Sequence, residues 1–287
     1  MTPGIEAVAN YHCLVGENPL WNEREGRIYW LDIETGRLFR ADHASGEHEC
    51  FYQGPIVGGF TFQDDGSLLL FEQDRIAVLD PASGRRRVVA EGIDSDMKRW
   101  NDVIADPAGR VFAGTIGQND DAGGLYRVDL DGRITSIVKG TGCANGMGFT
   151  ADLRTFYWTC STTRRIHRFD YDQASGALTN QRTHYQAPEA EGTPDGMAVD
   201  ADDGIWTARW GASTLLKLSP RTAVLEGELR FPVAAVSSCA FGGPALDTLY
   251  VTTAGGKLDQ PDSPDGTLYR VPVAVRGRPE YRSRIRL

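Results

Sequence analysis

A recurring strand pattern constrains this chain more than any other feature. It reads IYWLDIETGRLFRAD (28–42), LLLFEQDRIAVLD (68–80), VFAGTIGQNDDAGGLYRVD (111–129), FYWTCSTTRRIHRFD (156–170), IWTARWGASTLLKLS (205–219) and LYVTTAGGKLDQPDSPDGTLYRV (249–271). Trp30, Leu70, Ala113, Trp158, Thr207 and Val251 take matching places, separated by 40, 43, 45, 49 and 44 residues. Repeats of this size, built from about four strands, are the signature of propeller blades. Helical periodicity is almost absent, and 33 scattered glycines suit many tight turns. No linker or shift of composition separates the repeats. The expectation is an all-β chain, a six-bladed β-propeller forming one domain over 1–287, with no seventh repeat. The sixth repeat lacks a strand. The segment at about 5–13 is expected to supply it and to cover an edge that would otherwise invite association.

Each repeat has a first strand that ends in a turn near Gly26, Gly66, Gly109 and Gly204 in four of the six. Counting back nine residues, or eight from Gly109, reaches Glu17, Val57, Asn101 and Asp195. The strands NGMGF and SSCAF align the other two repeats and give Asn145 and Ser237. First strands of propeller blades line the central channel, so equivalent positions at their starts converge on the axis. Glu17, Asn101, Asn145 and Asp195 would then form an oxygen-rich cage, the donor type that hard divalent cations require. Without a cation, two carboxylates so close would repel. The competing reading is local: asparagine and aspartate before glycine are good turn formers, and both CANGMG and TPDGMA contain such a pair.

The segment MKRWNDV (97–103) puts Arg99 two residues before Asn101, on the same side of an extended strand. Arg99 is expected either to overhang the cage as a donor fork for substrate oxygens or to be a surface arginine paired with Asp94 or Asp96. The polar loop GQNDDAGG (117–124) is either a rim that contacts substrate or an ordinary solvated loop.

Bulk properties exclude several classes. A net charge of −9 repels phosphate backbones and anionic membrane surfaces, so neither nucleic acid nor membrane is an expected partner. No apolar run reaches the roughly 18 residues of a membrane span, and MTPGIEAVANYHCLVG has no secretory pattern. Five cysteines without a C-x-x-C pair fit reduced thiols and a cytoplasmic location. DADDG (200–204) reads as a hairpin turn, GTGCANG (140–146) misses the dinucleotide-binding spacing, and no G-x-S-x-G or phosphate-binding loop occurs.

The chain resembles the gluconolactonase, regucalcin (senescence marker protein 30) and luciferin-regenerating-enzyme family. The likeness spans nearly the whole length and lies in GENPLW, RWNDVIADPAGRVFAGT, NGMGFTADLRTFYWT, PDGMAVDADDGIWTARW and CAFGGPALDTLYVTTA. It implies a six-bladed propeller with one divalent metal on the axis. Glu17, Asn145 and Asp195 fall on the family's metal-binding positions, Asn101 in or near the metal shell, and Arg99 on a substrate contact. The implied activity is hydrolysis of a sugar lactone, an aldono-1,4- or 1,5-lactone, to the open acid, with Asp195 as general base and Arg99 and Asn101 orienting hydroxyls. Calcium, zinc, manganese and iron all remain open as the metal. The rival readings are a phosphotriesterase-like hydrolase at the same metal and a non-catalytic metal-binding propeller. Three residues depart from the family pattern: Asn18 replaces a glycine, Trp100 a proline or phenylalanine, and Cys160 an aspartate whose supporting hydrogen bond is thereby in doubt.

Overall fold

Residues 4–257, 259–260 and 262–286 are described in the computed structural model of the chain. Strand β1 is Glu6–Asn10. Blade 1 follows with β2 (Gly16–Asn22), β3 (Arg27–Asp32), β4 (Arg37–Asp42) and β5 (His48–Gln53). Blade 2 is β6 (Val57–Phe62), β7 (Leu68–Glu72), β8 (Arg75–Leu79) and β9 (Arg86–Glu91). Blade 3 is β10 (Met97–Ala105), β11 (Val111–Gly117), β12 (Gly123–Val128) and β13 (Ile134–Thr141). Blade 4 is β14 (Ala144–Phe149), β15 (Thr155–Cys160), β16 (Arg165–Asp172) and β17 (Ala177–Gln186). Blade 5 is β18 (Thr193–Val199), β19 (Ile205–Trp210), β20 (Thr214–Leu218) and β21 (Leu225–Arg230), and β22 (Val236–Gly242), β23 (Thr248–Thr253) and β24 (Thr267–Pro272) complete the chain order. The strands form six four-stranded sheets, the blades of a β-propeller.

The sixth sheet has the order β1-β24-β23-β22, so the N-terminal strand supplies the missing edge. The strand is shorter than the expected 5–13. Glu6 pairs with Arg270 and Asn10 with Thr267, and Cys13 then donates its N–H to the Gly266 carbonyl.

Burial explains the sequence pattern. β6, β7, β22 and β23 are buried at every position, because sheets covered on both faces need continuous apolar runs rather than alternation. The fourth strands carry the charge: HECFYQ in β5 and LEGELR in β21 are mostly exposed or half-buried. Charged outer strands discourage edge-to-edge pairing. The turn after the first strand uses a left-handed residue in every blade. Gly26, Gly66 and Gly109 serve in blades 1 to 3, while Leu153, Asp203 and Leu246, with φ of 55°, 67° and 53°, serve in blades 4 to 6. In blade 5 the left-handed residue is therefore Asp203 rather than Gly204.

The chain divides into two compact units. One holds residues 1–53 and 185–279, and the other holds 54–184 and 280–287. In the first, Trp21, Trp30 and Phe39 of blade 1 pack with Tyr250 and Leu268 of blade 6, and Trp206 and Leu215 of blade 5 pack with Phe241 and Val251. In the second, Phe71 joins Trp100 and Tyr126, and Phe112 joins Phe149, Phe156 and Trp158. Among the described residues no helix is long and apolar enough to cross a membrane.

The covering role of β1 is testable. Deleting residues 1–10 leaves the β24 edge without its partner and is expected to produce concentration-dependent association in light scattering, with β-sheet circular dichroism retained.

Candidate active site

Every inner strand carries a fault in its ladder near its start. The register slips between Glu17 and Leu20, Val57 and Gly59, Trp100 and Val103, Asn145 and Met147, Pro194 and Met197, and Val236 and Ser238. All six positions counted from the turns lie at or within these slips. A bulge places two residues opposite one, bends the strand and re-aims the side chains beside it. Asn145 and Asp195 therefore sit inside strands β14 and β18, not in turns, which overturns the turn-former reading of NG and DG. The glycine after Asp195 has a packing role: a Cβ on Gly196 would stand 2.1 Å from Ser238 Oγ.

Blades 3 and 4 hold Arg99, Asn101 and Asn145, all buried. Arg99 donates through Nη1 to Asn101 Oδ1 and to the Trp100 carbonyl, the latter at 2.9 Å. Asn101 Nδ2 donates to Asn145 Oδ1 at 2.8 Å and to the Ala144 carbonyl at 2.9 Å. Asn145 Nδ2 in turn donates to Ser161 Oγ at 2.8 Å and lies 3.5 Å from Cys143 Sγ. The amide orientations follow from this network, in which each group has a complementary partner. Arg99 is 9% exposed, so it is not a surface arginine. Asp94 instead accepts from Tyr126 Oη and lies 3.7 Å from Lys139 Nζ.

The network settles what Cys160 does. Its Sγ lies 2.8 Å from Thr141 Oγ1, and the support for Asn145 comes from the next residue, Ser161. Ser161 belongs to no recognisable motif, although antiparallel pairing of CANG with WTCS brings it opposite Cys143. Trp100 is fully buried edge-on between Phe71 and Tyr126, so its ring packs in the apolar core beside those residues.

Asp102 follows Asn101 in the RWND run. It keeps some contact with solvent, but the protein around it pushes its carboxyl up to about 7, offset only in part by the Val103 N–H that donates to it at 2.9 Å.

Blades 1, 5 and 6 hold Glu17 and Asp195, both buried carboxylates. Glu17 Oε2 accepts the N–H of Asn18 at 2.9 Å. Asn18 has φ 49°, in the left-handed region that glycine and asparagine enter most readily. This explains both the family glycine and its replacement: the bulge that aims Glu17 needs a left-handed residue after it. At the two remaining equivalent positions Val57 is apolar, and Ser237 Oγ donates to the Gly16 carbonyl at 2.5 Å. Ser237 thus steadies the strand of Glu17 rather than offering a further ligand. Among the described residues no three His, Cys, Asp or Glu side chains cluster as a metal site. The expected donor set has only two carboxylates, its other donors being amides.

A family model described as SMP-30/Gluconolactonase/LRE-like region matches residues 15–255. The pentonolactonase XacC of Haloferax volcanii is 44% identical over 291 residues, covering 99% of each chain. Regucalcin of Danio rerio is 30% identical over 289 residues, covering 96% of this chain and 97% of its own. A solved calcium-binding regucalcin from Agrobacterium tumefaciens superposes with a TM-score of 0.89 at 26% identity, over 99% of this chain and 97% of that one.

The bulge at Asn18 makes a stability prediction. Asn18→Gly is expected to be nearly neutral, whereas Asn18→Val forces a β-branched residue into the left-handed region and is expected to cost about 1–2 kcal/mol in urea unfolding.

Proposed function

This chain belongs to the SMP-30/gluconolactonase/LRE-like family, and on that premise we propose that it is a metal-dependent sugar lactonase that opens an aldono-1,4- or 1,5-lactone to the aldonic acid. The observation that carries this reading is the buried polar chain Arg99–Asn101–Asn145–Ser161. Burying so many polar groups is costly unless each is satisfied, and a satisfied network holds its members in one geometry. The pentonolactonase name of the Haloferax volcanii relative supports a sugar lactone as substrate.

The donor chemistry fits a divalent cation. Glu17 and Asp195 offer carboxylate oxygens, and Asn145 offers an amide oxygen whose orientation Ser161 and Asn101 hold. A carbonyl oxygen has two lone pairs, so accepting from Asn101 leaves Asn145 able to coordinate. Asn101 Oδ1, which accepts from Arg99, is a further oxygen donor beside Asn145. When bound, the cation supplies Lewis-acid polarisation of the lactone carbonyl and positive charge for the oxyanion.

The protein's own residues divide the remaining work. Arg99, held by Asn101 and the Trp100 carbonyl, serves as the guanidinium donor to substrate oxygens. Asp195 takes a proton from the attacking water as the water oxygen adds to the carbonyl carbon. The bond from that carbon to the ring oxygen then breaks. The ring oxygen takes the proton and becomes a hydroxyl of the open-chain acid.

The experiment is acid release from five- and six-carbon aldonolactones and from a phosphotriester, after reconstitution with calcium, zinc, manganese or iron(II). Lactone turnover that a chelator abolishes and one metal restores is expected, with the phosphotriester far poorer. Asp195→Ala should lower kcat by about 10²–10⁴-fold, and Glu17→Gln should weaken metal binding in calorimetry with the thermal midpoint little changed. Wild-type turnover by metal-loaded Asp195→Ala would sink the mechanism.

A further inference from the structure

The chain has six tryptophans, and five of them are structural. Trp21, Trp30, Trp100, Trp158 and Trp206 are buried, and each has an aromatic partner: Tyr250, Phe39, Phe71, His167 and Phe241. Trp210 differs on both counts. It is 39% exposed, and among the described residues its ring meets no aromatic or cationic group. A large indole left in water forgoes the burial that stabilises the other five.

Its backbone, by contrast, is held on all sides. Trp210 pairs with Thr193 at the start of β18 and forms a bridge with Ala235, while Gly211 and Ser213 both donate to the Ala234 carbonyl at 3.0 Å. Gly192 packs so closely that a Cβ there would stand 2.7 Å from the Trp210 carbonyl oxygen. Arg209, the preceding residue, pairs with Pro194, so Trp210 stands at the end of blade 5 that carries Asp195. Alternation puts Trp210 on the same face as Trp206 and Ala208, which join the apolar cluster between blades 5 and 6. Trp210 extends that face beyond the packed core. A rigidly held, exposed indole offers contact area at little cost in conformational entropy.

We propose that Trp210 is a specificity-determining residue whose indole face stacks on the C–H face of the substrate's sugar ring beside Asp195. The inference rests on the sugar-lactonase reading and adds a contact to it. A sugar lactone carries its hydroxyls around the ring and presents C–H groups on a face. The electron-rich face of an indole matches that surface, and nearby polar side chains are left to read the hydroxyls. A small lactone without ring hydroxymethine groups has less of this surface and gains less from the contact.

The test combines binding and kinetics. As the exposed tryptophan, Trp210 should account for the iodide-quenchable fraction of the intrinsic fluorescence, which Trp210→Phe should remove. A hydroxylated sugar lactam, a non-hydrolysable mimic of the lactone ring, should shield that fraction in the wild type. In kinetics, Trp210→Ala should raise KM for aldonolactones by roughly 2- to 10-fold with kcat little changed, leave KM for γ-butyrolactone unchanged, and be partly rescued by Trp210→Phe. Wild-type turnover of aldonolactones with an unaltered KM in Trp210→Ala, or a lactam that binds without shielding the indole, overturns the proposal. If the wild type turns over no lactone, the lactonase reading itself fails. The lactam arm then decides the stacking contact by itself, with shielding supporting it and no shielding overturning it.

Discussion

A regular strand sends successive side chains to opposite faces of its sheet, and in this fold both faces of the inner strands meet apolar layers. Polar groups at the start of such a strand would be forced into those layers without partners. The structure avoids this by breaking the ladder once in each inner strand, with each slip falling at the position equivalent to Glu17. The bulge releases the residue beside it from alternation. The candidate site depends on that fault, and the packing between blades depends on its being confined to the strand start.

The bulges impose local demands that account for several residues at once. Asn18 takes a left-handed conformation and returns its N–H to Glu17, so an asparagine serves where the family has a glycine. Ser237, at an equivalent position, holds the Gly16 carbonyl. Ser161 Oγ accepts from Asn145, while Cys160 Sγ lies against Thr141. Trp100 fills the apolar core with aromatic neighbours on either side.

Much of the fold was legible because blade repeats are local. The spacing of Trp30, Leu70, Ala113, Trp158, Thr207 and Val251 reports one strand of each sheet, and the incomplete sixth repeat pointed to an N-terminal partner, observed as β1 on β24. Turn glycines were a less faithful guide, since Leu153 and Leu246 adopt the same left-handed conformation without being glycine. Asn101 and Asn145 were marked by symmetry and are hydrogen-bonded to each other, although 44 residues separate them in sequence. The surface reading of Arg99 failed because burial is set by the surrounding strands: Arg99 is enclosed and donates to Asn101, two positions along, rather than to Asp94.

The sequence by itself determined the number of repeats, the strand that completes the sixth, and the residue type at each equivalent position, because all three are carried by spacing and periodicity along the chain. Only the tertiary structure decided that these positions lie on bulges, that Ser161 rather than Cys160 supports Asn145, and that Trp210 alone among the tryptophans stands exposed. Those outcomes depend on ladder register, on hydrogen bonds between separate blades, and on which faces neighbouring sheets cover. Such relations are set by register and by neighbouring sheets rather than by residue type, so spacing along the chain does not report them.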